Sequence, residues 1–402
     1  MTRYLIIGNG IAANSAAESL RAQDQQGAIT MVTREGCPFY YTPALPEYLA
    51  GEKDLKGITI HPLEWYSRRQ IDLRLNTTVT SIDPDAHCVV TASGEQIAYD
   101  RLLLAAGGHS FVPPIPGADH EGVYTLRTVA DADAIRTRLT RGGRLVLIGG
   151  GLLGLEAGNG LRKAGMQVTV VEFFPRLLPR QMDTDGATML QQRMEQMGFS
   201  FFLGARTKEI TPDNRQLAVR LESGETLPAD MVLISAGVRP ELELARQIAL
   251  PIDKGIKVDD TMQTAAKDIF AAGDIIEHRE RYYGIWPAAM EQGRTAGMAM
   301  AGVSAPYQCT VPANTLKVVG ISLTAAGDID ADSEQDAVVY RDTDEGIYRK
   351  FVINDNILAG VILLGDDRGS EELLQAIRQK RDVSDSRDAL QRPDFDFSQW
   401  KR

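Results

Sequence analysis

Tyr4-Leu5-Ile6-Ile7-Gly8-Asn9-Gly10-Ile11-Ala12-Ala13 is the stretch from which the rest of the chain is read. An aromatic and three aliphatic residues make a short buried strand. Gly8 and Gly10 break it, and the alanine-rich run Ala12–Leu20 predicts a helix. This is the G-x-G-x-x-A form of the dinucleotide fingerprint. Gly8 permits the tight strand-to-helix turn, Gly10 lets the backbone approach a pyrophosphate, and Ala13 is small enough for the helix to press on the strand. The amides that open the helix, from Ile11 and Ala12 onward, face the phosphates. The strand through Ile29–Val32 leads to Glu35, 27 residues beyond Gly8, and an acid near that place accepts ribose hydroxyls. Taken alone, the same stretch would also serve as an ordinary tight turn with no ligand.

The pattern then repeats. Leu145-Val146-Leu147-Ile148-Gly149-Gly150-Gly151-Leu152-Leu153-Gly154 restates the opening 141 residues later, now with the full G-x-G-x-x-G. A helix over Leu155–Lys163 follows, then a strand over Gln167–Val171 and an acid, Glu172, 23 residues beyond Gly149. Two complete fingerprints, each with its acid, are far stronger than one. They predict an α/β chain with two Rossmann-like three-layer dinucleotide-binding domains.

Bulk properties agree with that class. The chain of 402 residues is too long for one core, and its 44% hydrophobic and 24% charged residues are those of a globular protein. A net charge of −11 argues against nonspecific nucleic-acid binding. Cys37, Cys88 and Cys309 are scattered with no C-x-x-C, against a zinc ribbon, an iron–sulfur cluster or a dithiol pair. No metal site is expected. The longest apolar run, Leu145–Leu155, is 11 residues and too short for a membrane span. With few cysteines and no signal peptide in view, the chain is read as cytoplasmic.

Between the fingerprints, Pro38-Phe39-Tyr40-Tyr41-Thr42-Pro43-Ala44-Leu45-Pro46 is a rigid aromatic segment, its prolines barring a helix interior. It suits a planar ligand or a surface loop with buried tyrosines. Leu55–Ile60 and Leu63–Arg69 read as helix or turn, and Asp72–Val79 and Cys88–Thr91 as strands. Arg101–Leu104 is a buried strand running into Ala105-Ala106-Gly107-Gly108, and Val112–Gly117 is a stiff crossover with three prolines. Met231–Ala236 ends in Gly237 in the same way. Asp268–Asp274 is a short strand ending Gly273-Asp274, where a carboxylate can accept from sugar or ribityl hydroxyls. A small-residue helix is expected over Gly284–Gly302, starting near Trp286. From about 307 the texture changes. Thr315–Leu323, Ala337–Arg341, Tyr348–Ile353 and Ile357–Leu364 read as antiparallel strands, and Glu371–Arg381 as a helix. The tail 382–402 is expected to be irregular and packed by Phe395, Phe397 and Trp400. The expected domains are 1–110 with 236–306, then 111–235, then a small α+β domain over 307–402.

This order of motifs resembles the two-dinucleotide flavoprotein reductases of the pyridine nucleotide–disulfide oxidoreductase superfamily. Tyr40-Tyr41-Thr42-Pro43-Ala44-Leu45 is similar to the Tyr-x-Arg-Pro-x-Leu segment of NADH:rubredoxin reductases and ferredoxin reductases. Leu49-Ala50-Gly51-Glu52 is similar to the reductase portion of NADH-dependent nitrite reductase, and Trp286 through Gly293 to a flavin-flanking ferredoxin reductase segment. The resemblance implies FAD on the first fingerprint, with Gly8, Gly10, Ile11, Ala12, Ala13 and Glu35 at its ADP end. Thr42, Pro43, Val79, Ala106, Gly107, Gly273, Asp274 and Trp286 would complete that site. It implies NADH on Gly149, Gly151, Leu152, Leu153, Gly154, Glu172 and Gly237, with Glu156 near the nicotinamide–flavin junction.

Disulfide-reducing relatives carry a Cys-x-x-x-x-Cys in the first helix, which this chain lacks, and Thr42 stands about where single-cysteine relatives place their thiol. No side chain is therefore assigned as a catalytic nucleophile. The implied chemistry belongs to the flavin: hydride from NADH, then electrons passed singly to a small carrier such as a rubredoxin. Glu172 favours NADH over NADPH, since a carboxylate repels a 2′-phosphate. The alternatives are an NADH oxidase, a flavin subunit of a larger redox complex, and a slow redox-sensing flavoprotein. An acidic carrier would need a basic patch, for which Arg378-Lys380-Arg381 or Arg68-Arg69 are candidates. The sequence leaves monomer and homodimer both open.

Overall fold

In the computed structural model, which describes residues 1–214, 216–310 and 313–401 (313–318 and 401 as backbone), the opening stretch forms the strand Arg3–Ile7 and the helix Ile11–Gln23. That strand is the centre of a parallel sheet with the order Ile269–Ala271, Arg101–Leu104, Arg3–Ile7, Ala28–Val32, Ile71–Arg74. Ile7 pairs with Val32 on one side and Leu104 on the other, so three strands end level beneath the glycine turn. Both faces are covered, which is why the strands are aliphatic throughout rather than alternating. One cover is the helix Ile11–Gln23 packed on the helix Trp286–Met300. Their backbones nearly touch: a Cβ on Gly293 would lie 2.1 Å from the Ala12 carbonyl oxygen, and one on Gly297 2.3 Å from that of Ala16. An antiparallel meander, Val79–Asp83, Cys88–Thr91 and Gln96–Ala98, completes this half.

The second half repeats the plan. Its parallel sheet has the order Ser200–Leu203, Gln167–Glu172, Arg144–Ile148, Met231–Ile234, Val123–Tyr124. Ile148 pairs with Val171 and Ile234, as Ile7 does with its neighbours. A meander of Thr207–Asp213, Gln216–Leu221 and Thr226–Ala229 matches the first. The C-terminal region is a five-stranded antiparallel sheet in the order Ala313–Val318, Ile321–Gly327, Ile357–Leu364, Ile347–Asn354, Ala337–Asp342, backed by the helix Ser370–Arg378. The helix Thr184–Gln196 is tied to that sheet through its cap. Asp183 accepts from the Gly186 N–H and from the Tyr348 hydroxyl, and Lys350 reaches Asp183 and Asp330 at 3.3 and 3.0 Å. Phe397 and Trp400 of the tail are buried against Leu373, Ala376 and Val383, so the tail is packed by two of the aromatics named for it and flanked by the third, Phe395; Arg402 lies outside the described residues.

The chain forms two compact units. One is Met1–Thr42, Asp54–His109 and Val238–Thr310; the other joins Pro43–Lys53, Ser110–Gly237 and the described residues of 313–401. Three local expectations are corrected. Asp72–Val79 is not one strand: Asn76, at φ +51, turns the chain between Ile71–Arg74 and Val79–Asp83, a conformation asparagine tolerates. Thr315–Leu323 is a hairpin, because Val319 and Gly320 (φ +56 and +83) make a two-residue turn that pairs Val318 with Ile321. The proline segment ends in a helix, Leu45–Leu49, since Pro46 sits in its first turn where the missing N–H costs nothing.

Candidate functional site

The two glycine loops are built alike. Gly8 has φ +122, and a Cβ there would lie 2.1 Å from the Ala105 carbonyl oxygen; Gly149 has φ +114, with Ser235 oxygen at 2.2 Å. In each loop the neighbouring parallel strand's end presses on the turn, and only glycine fits. Gly10 and Gly151 differ in kind. Both have φ −80, and among the described residues neither has an atom beyond its own chain neighbours within 4 Å of where a Cβ would stand. Each is the N-cap of its helix, and neither helix start receives a side-chain cap. The helices that begin after Thr128 and Asp183, by contrast, are capped by those side chains. Bare glycine beside open space, above uncapped helix amides, is a cradle for a diphosphate. Both cradles therefore fit a dinucleotide.

Around the first cradle the structure shows a polar network that the sequence reading did not contain. The Asn14 carboxamide is buried beneath the loop, and its Nδ2 donates to Asn9 O, Asn9 Oδ1 and Gly10 O at 2.9 to 3.0 Å. Its Oδ1 accepts from the Tyr66 hydroxyl at 2.7 Å and from His61 Nδ1 at 3.1 Å. The His61 ring stacks on Trp65 with centroids 3.7 Å apart. Burial, and then the Arg69 cation, bring the His61 pKa down to about 4. Asn9 and Asn14 sit inside the fingerprint at positions the motif leaves free, and nothing in the sequence pointed to His61 or Tyr66.

The remaining residues of the first group are placed as follows. Ala12 and Ala13 are buried in the core, and Ile11 and Val79 pack at its edge. The Glu35 carboxylate accepts from the Tyr40 hydroxyl at 2.7 Å. Ala106 and Gly107 follow the strand Arg101–Leu104, where Gly107 O accepts from Glu241 N at 2.9 Å. Gly273 donates its N–H to Gln292 Oε1 at 3.0 Å, and its Cα faces Ala12 so closely that a Cβ would come within 2.9 Å. This sets Asp274 beside the start of the first helix. Trp286 stacks on Phe39 (5.8 Å between centroids) and meets Tyr41 edge-on at 5.1 Å, so the aromatic segment and Trp286 are brought together. Thr42 closes one stretch of the first unit, and Pro43 opens one of the second.

In the second group, Glu172 is buried and turned back onto the glycine loop, its carboxylate accepting from Gly150 N–H and from Phe174 N–H at 2.8 Å. Phe173 and Phe174 are exposed, with the Arg206 guanidinium 4.6 Å from the Phe173 ring centre. Leu152 and Leu153 open the helix, Gly154 is packed against Ser235, and Gly237 (φ +107) faces open space. Glu156 is half-buried, and its carboxylate accepts from the Val319 N–H in the C-terminal hairpin turn. Burial raises its pKa above the ordinary carboxylate value. Of the two basic candidates, Arg69 lies over the Trp65 ring and Arg381 over the Trp400 ring, leaving Arg68, Arg378 and Lys380 exposed. Among the described residues no helix is long and apolar enough to cross a membrane.

Residues 2–293 match the family model described as pyridine nucleotide-disulphide oxidoreductase, and residues 312–381 match the rubredoxin NAD+ reductase C-terminal domain. Over 386 residues the chain is 35% identical to a nitrite reductase [NAD(P)H] of Bacillus subtilis, covering 96% of this chain and 48% of that protein. It is 30% identical to the NADH-rubredoxin oxidoreductase of Clostridium acetobutylicum, with 94% of each chain covered. The solved covalent putidaredoxin reductase–putidaredoxin complex superposes with a TM-score of 0.89 at 27% identity, covering 100% of this chain and 98% of that one. The chain spans about half the length of the curated relatives it matches first. The family model covers residues 2–293, both glycine cradles included, and the chain belongs to the pyridine nucleotide–disulphide oxidoreductase family.

Proposed function

We propose that the chain is an FAD-dependent NADH oxidoreductase that delivers electrons to a small one-electron carrier protein of the rubredoxin kind. The observation that carries this is the pair of uncapped glycine cradles, Gly8–Ala13 and Gly149–Gly154, each on its own parallel sheet. FAD held there would supply hydride acceptance from NADH and release of electrons one at a time. The chain's own residues bind and orient. Amides from Gly10 and Ile11 receive one diphosphate, and those from Gly151, Leu152 and Leu153 the other. Glu35 would take the adenosine ribose of FAD, and Asp274 the ribityl hydroxyls, with Thr42, Val79, Ala106, Gly107 and Trp286 serving the same cofactor. Glu172 fixes the second loop by holding Gly150 N–H and sets a negative charge where a 2′-phosphate would come, which selects NADH. Residues 1–110 with 236–306 serve FAD, 111–235 serve NADH, and 307–402 form the third domain. The protein works in the cytoplasm. One observation favours a second setting: the chain spans about half of its nitrite reductase relative, so it also fits the flavin-bearing portion of a larger redox enzyme.

Stopped-flow spectroscopy tests the reading. Protein reconstituted with FAD should bleach on mixing with NADH and recover its flavin absorbance on adding oxidised rubredoxin, with NADPH slower at the first step. Protein that takes up no FAD sinks the proposal. Fast reduction by NADH with reoxidation only by oxygen moves it to the oxidase alternative.

A further inference from the structure

Apart from both glycine loops, the first unit carries a polar cluster of Asp260, His278, Arg279 and Cys309. His278 ends the strand Ile276–His278 and is fully buried. Its Nε2 lies 2.8 Å from Asp260 Oδ1 and its Nδ1 lies 3.9 Å from Cys309 Sγ. With Nε2–H donating to the carboxylate, the Nδ1 lone pair faces the thiol. Arg279 holds the other side of Asp260, Nη2 to Oδ2 at 2.6 Å. Asp260 first, and then the Cys309 sulfur beside it, raise the Arg279 pKa. The sulfur thus has beside it an imidazole that a carboxylate orients, the arrangement of a base next to a nucleophile.

The segment that bears the cysteine is held in place. Tyr307 N–H donates to Asp260 O at 2.8 Å, and the Tyr307 ring meets the His278 ring edge-on at 5.2 Å. The Tyr307 and Thr310 hydroxyls share a hydrogen bond of 2.6 Å, and Thr310 donates to Glu291. Cys309 itself adopts φ +67, a left-handed conformation that a residue with a side chain keeps only when its surroundings impose it. The Tyr283 ring meets the Tyr307 ring edge-on at 6.0 Å, and burial, then the neighbouring Cys309, raise the Tyr283 pKa. Cys309 is a partly exposed residue, while His278 is fully buried.

We propose that Cys309, His278 and Asp260 form a thiol-modification site, at which low-mass disulfides attach to Cys309. The thiol gives its proton to His278 Nδ1, and the sulfur attacks one sulfur of the reagent. The reagent's S–S bond breaks as a new one forms to Cys309. The other half leaves as a thiolate and recovers the proton from His278. One disulfide replaces another, so no outside oxidant is consumed, and a second low-mass thiol reverses the step. Asp260 is a positioning residue that fixes the tautomer and the ring. This site is separate from the nucleotide cradles and does not depend on the electron-transfer reading.

The test is oxidised glutathione added to the native protein, with adducts followed by peptide mass spectrometry. Cys309 should be modified at least about tenfold faster than Cys37 or Cys88. His278→Gln should slow Cys309 by about tenfold and leave the other two thiols at their original rates. A variant that had merely loosened the fold would speed all three. Should His278→Gln fail to fold, Asp260→Asn, at a side chain 42% exposed, carries the same expectation in weaker form. Adducts appearing first at Cys37 or Cys88, or a Cys309 rate unmoved in a folded variant, overturn the proposal.

Discussion

His61 shows how one side chain can report on a loop. Its ring lies flat on Trp65, and its Nδ1–H is spent on Asn14, whose carboxamide in turn holds the first glycine turn. A proton on Nε2 would bring a second charge close to Arg69 in a half-buried place, so the folded-state pKa drops to about 4 from the ordinary 6.5. The sign follows. Above pH 6.5 the ring is neutral folded or unfolded, and its neutral contacts contribute in full. Between 6.5 and 4 the unfolded chain takes the proton first, so stability falls as the pH falls. Titration by NMR should find His61 titrating near 4 and no transition near 6.5; an ordinary midpoint would show that the ring is not packed against Trp65 as described.

At the scale of elements, the four loop glycines divide into two kinds with opposite expected phenotypes. Gly8 and Gly149 stand against carbonyls at 2.1 and 2.2 Å and have φ well into the positive range. Gly8→Ala or Gly149→Ala should cost on the order of 3 kcal/mol of stability, since strain and clash fall on the strand ends themselves. Gly10 and Gly151 meet nothing and have ordinary φ. Gly10→Ala or Gly151→Ala should leave the apoprotein within about 0.5 kcal/mol of the parent, while FAD or NADH affinity respectively falls. Chemical denaturation set beside nucleotide titration separates the two kinds. Equal stability loss at Gly8 and Gly10 would remove the grounds for calling the second position a ligand contact.

For the whole molecule, two units and two nucleotides make stability depend on what is bound. FAD at about a hundred times its dissociation constant should add about 2.7 kcal/mol to the state that binds it. Thermal unfolding followed by tryptophan fluorescence should therefore move to higher temperature as FAD is added, because Trp65 and Trp286 both lie in the unit with the first cradle. An unchanged midpoint at saturating FAD would place the flavin elsewhere or nowhere. The second unit has its own reserve, for Lys350 sits buried between Asp183 and Asp330 and knits the C-terminal sheet to the helix Thr184–Gln196.

The sequence by itself determined the parts whose cause is local. A short apolar strand ending in Gly-x-Gly has few ways to continue, so both glycine turns, their strands and their helices were legible, as were most C-terminal strands. Only the tertiary structure decided what depends on partners distant in the chain. It placed Asn14 under Asn9 and against Tyr66 and His61, because a single carboxamide can satisfy a loop only once a remote helix covers it. It turned Glu172 inward onto Gly150, and spent the Glu156 carboxylate on the Val319 amide. It split Asp72–Val79 and Thr315–Leu323 at turns, because β-propensity runs on through a residue that sheet pairing forces into a positive φ. And it set Cys309 beside His278 and Asp260, residues 31 and 49 positions away that no spacing rule connects.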